Sequence, residues 1–185
     1  MSRTLVHELA ITARVIARAV RRRLAGEIPA PVGDREFRAT LEPWLAALSP
    51  DIARSHAFLR IGPRQPWLDT GWNLEPGDSI TLLAAGRVYF SRIADIWVGP
   101  SLRLWCRVGP GGPVFRSARD TLTFTSASAG RLALASRFPS EWTDPAGHRQ
   151  AAAPEFDRAS GDLSVLVVRW ARGTDVHSLF RQFGK

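Results

Sequence analysis

From residue 63 onward this sequence predicts a mainly β fold, a two-sheet sandwich of about eight strands with an α-helical N-terminal appendage. Three observations lead there. Short runs of alternating character recur, as in Leu102–Val108, where Leu102, Leu104 and Cys106 alternate with Arg103, Trp105 and Arg107. The segments between such runs are turns rich in glycine and proline, for example Glu75-Pro76-Gly77-Asp78 and Gly109-Pro110-Gly111-Gly112. Ahead of Gly62 the apolar residues instead fall at helical spacing. A chain of 185 residues holds one well-buried core and an appendage, and is short for two full domains.

Taken in order, residues 4–25 read as a helix. Leu5, Leu9, Ala13, Ile16, Val20 and Leu24 share one broad arc, and Arg3, His7, Arg14, Arg18, Arg21 and Arg22 lie opposite. A basic amphipathic helix of this kind packs its apolar arc on its own protein or on a second copy, or else lies on an anionic membrane surface. The Pro and Gly density of residues 25–33 marks a linker. Asp34 is a candidate N-cap for a helix carrying Phe37, Leu41, Leu45 and Leu48, which Pro43 should kink or restart. Ser49-Pro50-Asp51 reads as a second helix start leading into residues 52–60.

The sandwich follows. Pro76 presets φ and Gly77 supplies a positive φ in a turn that should join Trp67–Trp72 to Ser79–Ala85 as a hairpin. Strands are then expected at Arg87–Ser91, Leu102–Val108, Val114–Ser117, Thr121–Thr125, Arg131–Arg137 and Leu163–Trp170, the last the most apolar and so central. Two long loops interrupt them, at residues 92–101 and 138–160. The expected organisation is a basic helix at 1–26, linker and short helices at 27–62, the sandwich at 63–172 and a tail at 173–185.

The net charge of +8 is concentrated at the N-terminus, where residues 1–26 hold six Arg against Glu8. The sandwich is nearly balanced, and no recognition motif points to nucleic acid. Cys106, the only cysteine, excludes an intramolecular disulfide and a zinc-type cluster; on the core side of its strand it reads as a small buried hydrophobe. A reducing, cytoplasmic setting is the expectation, because Arg14 and Arg18 break the apolar run that a signal peptide needs.

Catalytic signatures are missing: the chain has no GxSxG, no HExxH and no phosphate-binding glycine loop, so it is not expected to be an enzyme. The loops offer binding chemistry instead. Asp95 and Trp97 occupy the first long loop, and Glu141, Trp142 and Asp144 the second. An indole can stack on the C–H face of a sugar while neighbouring carboxylates take its hydroxyls, which makes these five the candidate ligand-binding residues.

Three blocks together resemble the bacterial galactophilic lectins, calcium-dependent galactose-binding proteins. They are Pro76-Gly77-Asp78 with Ile80-Thr81 and Ala84-Ala85-Gly86; Leu104 to Gly109 with Gly112; and Phe124 to Gly130 with Leu132–Ala135 and Gly161 to Val165. The resemblance implies a jelly-roll-like, galactose-binding-domain-like sandwich. It also implies one calcium ion held by a backbone carbonyl, here that of Phe90, and by a late-loop aspartate. Aligned without a gap that aspartate falls on Phe138, and an insertion brings Asp144 to its place. Oxygen donors of this kind suit a hard cation.

Two functional readings follow. One is a non-catalytic lectin-like module that takes a carbohydrate or another small polar ligand at the loop end of the sandwich. The other is an interaction or accessory domain of a larger bacterial protein, with a protein partner or a second copy, and with residues 4–25 available to a membrane surface.

Overall fold

The structure, a computed structural model, describes residues 30–148 and 158–183 together with residues 17, 21, 22, 25 and 26. The helix expected over 4–25 thus lies almost wholly outside the described residues, as does the loop stretch 149–157.

Among the described residues nine strands build the fold, all paired antiparallel. One sheet has the order β1 (Ala53–Ile61), β9 (Leu163–Trp170), β3 (Ser79–Gly86), β7 (Thr121–Thr125). The second has the order β2 (Leu68–Leu74), β8 (Gly130–Ser136), β6 (Leu104–Val108), and β4 (Val88–Ser91) pairs with β5 (Ile96–Val98) as a small hairpin. Ile61, Ile80, Leu82 and Val165 from the first sheet pack with Leu74, Cys106, Leu132 and Leu134 from the second, so the two form a sandwich around one core. Helices α1 (Asp34–Ala46) and α3 (Val176–Phe183) cover the other face of the four-stranded sheet; a third, α2, is the single turn Pro100–Arg103.

This layering explains why β9 carries apolar residues on both of its faces, with an unbroken run from Val165 to Val168. Leu163, Val165 and Val167 point into the sandwich, while Leu166, Val168 and Trp170 meet Phe37, Leu45 and Val176 of the helices. A strand buried on both faces cannot alternate. Each of its five fully buried aliphatics contributes ~1.5–3 kcal/mol as an upper bound. Its expected central place is what the register shows, with β1 on one side and β3 on the other.

Several expectations need correction. The turn at Glu75–Asp78 has the anticipated chemistry, with Gly77 at φ +90° and the Asp78 N–H donating to Glu75 O at 3.0 Å, but it does not close a hairpin. β2 pairs with β8 and β3 with β7 and β9, so the turn carries the chain from one sheet to the other. Gly77 and Ser126 fix that corner by bonding across to the end of β7: Gly77 N–H donates to Ser126 O, and Ser126 N–H to Asp78 O. Of the stretch 52–60, expected as helix, residues 53–60 lie in β1 and Ile52 in the turn before it. Its Ala, Leu and Arg favour helix intrinsically, but pairing with β9 buries Phe58 toward the helices and Leu59 and Ile61 toward the core, and that tertiary gain outweighs propensity. Ser49 instead closes turns, accepting from the Ile52 and Ala53 N–H groups.

Pro43 does not restart the helix: α1 runs through it to Ala46. Val114–Ser117 forms a single bridge, Phe115 to Cys106, rather than a strand. The tail contains α3, begun by Asp175, whose carboxylate accepts from the Ser178 N–H and hydroxyl.

Candidate functional site

The outer face of the three-stranded sheet is where the unusual side chains gather. On β6 the alternation that buries Leu104 and Cys106 turns Trp105 and Arg107 outward. Beside them, on β8, Ala135 is small enough to leave room, and Trp67 stands just ahead of β2. The loop after β8 folds back over this face. Its indole Trp142 stacks on Trp67 with centroids 5.3 Å apart and planes 15° apart, and meets Trp105 edge-on at 5.7 Å. The Arg107 guanidinium lies 4.3 Å from the Trp67 ring. Between loop and sheet opens a cleft of about 550 Å³, to which Arg64, Trp67, Arg107, Arg137, Trp142 and His148 contribute.

Local bonding holds that loop in place. Asp144 accepts from the Ala146 and His148 N–H groups and from His148 Nδ1, and Thr143 N–H donates to His148 O at 2.8 Å. Gly147 closes the turn at φ +77°, and an added Cβ there would strike Val114 Cγ1 and the Trp67 ring. Trp67 Nε1–H donates to Gly147 O, and Val114 N–H to Pro145 O, which ties the loop to both sides of the cleft. The hydrogen bonds from His148, side chain first and then backbone, hold the Asp144 carboxyl below the usual carboxylate range.

Beneath the loop lies a buried ion cluster. Arg103 is fully enclosed and donates to Glu141 Oε1 at 3.3 Å and to Ser136 O at 3.0 Å. Glu141 Oε1 also accepts the Phe138 N–H at 2.6 Å, and Arg137 stands 3.7 Å from Glu141 Oε2 while donating to Pro63 O and Gln65 O. Burial pushes the Arg103 pKa down to about 10 against the pull of Glu141. Burial likewise lowers Arg107, whose guanidinium donates to the carbonyls of Pro110 and Ala146. Two donors at the cleft have no acceptor among the described residues: the buried Nε1–H of Trp142 and Nε–H of Arg107.

The residues named from sequence divide between places. Trp142 lines the cleft. Glu141 lies under it in the ion cluster, and Asp144 braces its loop through His148. Asp95 and Trp97 belong to the β4–β5 hairpin and do not line the cleft; Asp95 takes φ +52° at the hairpin turn, and Trp97 is covered by Arg87 at 4.0 Å. Trp67, Arg64, Arg107, Arg137 and His148 were not anticipated. The outward Trp105 and Arg107 of a half-buried strand were the signal available, since an aromatic, charged outer face has to be covered or used.

Calcium does not fit the position that the resemblance gives it. The Phe90 ring packs edge-on against Phe138 at 5.4 Å, so an aromatic ring stands where the ungapped alignment places the family's aspartate, with the Arg103 cation 5.9 Å from it. Asp144 is engaged by His148, and among the described residues no three His, Cys, Asp or Glu side chains cluster as a metal site.

No protein-family model and no curated protein matches this chain. Among solved structures it is similar to an "EclA N-terminal domain; PllA-like lectin", at 16% identity and a TM-score of 0.45, over 65% of this chain and 99% of that one. No site residue or ligand carries over at that degree of likeness.

Proposed function

We propose that this protein is a non-catalytic, lectin-like binding module that holds a carbohydrate or another small polar ligand in the cleft at Trp67 and Trp142. The supporting observation is the combination found there: stacked indoles and the Arg64 and Arg107 guanidiniums in one cleft. An aromatic wall takes the C–H face of a sugar, and guanidinium N–H groups donate to its oxygens. Among the described residues the lining offers no serine, threonine or cysteine for His148 to activate, which favours binding over acyl transfer. A glycan array followed by calorimetric titration, with calcium and with a chelator, tests this. Binding that survives chelation and is lost in Trp142→Ala is expected; no binding to a broad panel in either condition would sink the ligand claim.

A second reading rests on the hairpin. Ile93 is 72% and Ile96 48% exposed there, and exposed Leu102 stands on the neighbouring α2, an arrangement suited to a protein partner or a second copy. Sedimentation of Ile93→Lys against the parent protein checks it: a smaller species in the variant supports association through this face.

A further inference from the structure

Among the described residues the cleft is lined mainly by donor and cationic side chains. Its described lining residues include no carboxylate and no side-chain amide. Backbone oxygens nearby are already in use, Pro110 O and Ala146 O by Arg107 and Gly147 O by Trp67. A neutral sugar presents hydroxyls that donate as well as accept, and such a lining leaves their protons unmatched. A carboxylate or sulfate only accepts, and matches it.

Charge points the same way. Carbonyl oxygens accept from Nη1 of Arg107 without neutralising it, and no carboxylate among the described residues forms an ion pair with it. Arg64, exposed at the rim, likewise has no ion pair among them. Asp144, the nearby loop acid, is engaged by His148. Partly buried, uncompensated guanidiniums beside an indole pair are costly until an anion arrives.

Building on the reading of the cleft as a saccharide site, we propose that its ligand is an acidic saccharide, one whose carboxylate or sulfate meets Arg107 and Arg64 while a sugar face lies on the indoles. The two anionic groups share this chemistry, and the test separates them.

Calorimetric titration of the full chain would use an oligogalacturonate, a sulfated oligosaccharide of similar length and a neutral galacto-oligosaccharide, each at low and high salt. At least one acidic ligand should bind about tenfold tighter than the neutral one and weaken as salt rises, the stronger of the two identifying the group. Arg107→Gln and Arg64→Gln should each remove most of that preference. Arg64 is exposed, so its variant reports on binding even if Arg107→Gln lowers the melting temperature. Neutral sugar bound as tightly as either acidic one would overturn the proposal and leave the saccharide site standing. Acidic binding unchanged in both variants would overturn it too. Binding of a single-stranded oligonucleotide with no saccharide bound would overturn both the proposal and the reading beneath it.

Discussion

Glu141 shows how much one residue's surroundings decide. Read in the chain it is a loop acid beside a tryptophan, free to meet a sugar hydroxyl. In the fold it is 3% exposed and serves two guanidiniums and a backbone N–H. The reason lies in Arg103, expected on the outer face of a strand from Leu102. The strand begins only at Leu104, so the alternation does not reach Arg103, and the turn of helix before it sends that side chain inward. Glu141→Leu would leave a buried charge uncompensated and should cost ~3–5 kcal/mol, read as a lowered denaturation midpoint. Asp78 makes a second prediction. Burial alone would raise its pKa, but the Glu75 N–H, Arg169 and Arg172 hold it below the usual carboxylate range. Its contribution is therefore complete above the unfolded value of ~3.9 and disappears as pH falls through the lower folded value. Asp78→Asn should lower stability at pH 7 and flatten the loss on acidification, measured by thermal melts from neutral to acid pH. Cys106 was legible from its strand position alone: it is fully buried, burial pushes its thiol up, and it should react with a thiol reagent only once the chain unfolds.

At the scale of elements, legibility followed burial. β9 and β7 lie where their patterns placed them, because an apolar run or a clean alternation leaves few alternatives. β1 was hidden by residues that favour helix, and its strand state depends on a partner more than a hundred residues away. The cleft was hidden for a similar reason. Trp67, Arg107 and Trp142 belong to three separate segments, and only the pairing of β6 and β2 with β8 brings the first two to the face that the Trp142 loop covers. That loop depends on Gly147. Gly147→Ala adds a methyl against Trp67 and Val114 at a φ that side chains avoid, costing ~1–3 kcal/mol, and should weaken ligand binding beyond its effect on melting. Titration of the variant well below its melting temperature separates the two effects.

For the whole molecule, a layer of helices, a four-stranded sheet and a three-stranded sheet place one core between the sheets and a second under the helices, leaving the outer face of the smaller sheet for Trp105, Arg107 and the loop that covers them. The fold class was legible because it follows from periodicity and turns. That a cleft opens on the outer face of the smaller sheet was not, since that depends on how the loop after β8 folds over it. The apolar arc read over residues 4–25 belongs to this scale as well: if it packs on protein, deleting residues 1–26 lowers the melting temperature or the oligomeric state, whereas loss of salt-sensitive vesicle binding at unchanged melting would assign it to a membrane surface. The central claim is the location of the ligand, and the indole N–H resonances of the seven tryptophans report on it directly in a titration followed by two-dimensional NMR. With an oligosaccharide selected from the array, the Trp142 and Trp67 signals should shift with the calorimetric affinity while that of Trp97, on the hairpin, stays in place. A shift confined to Trp97, with Trp67 and Trp142 unmoved, would contradict the account.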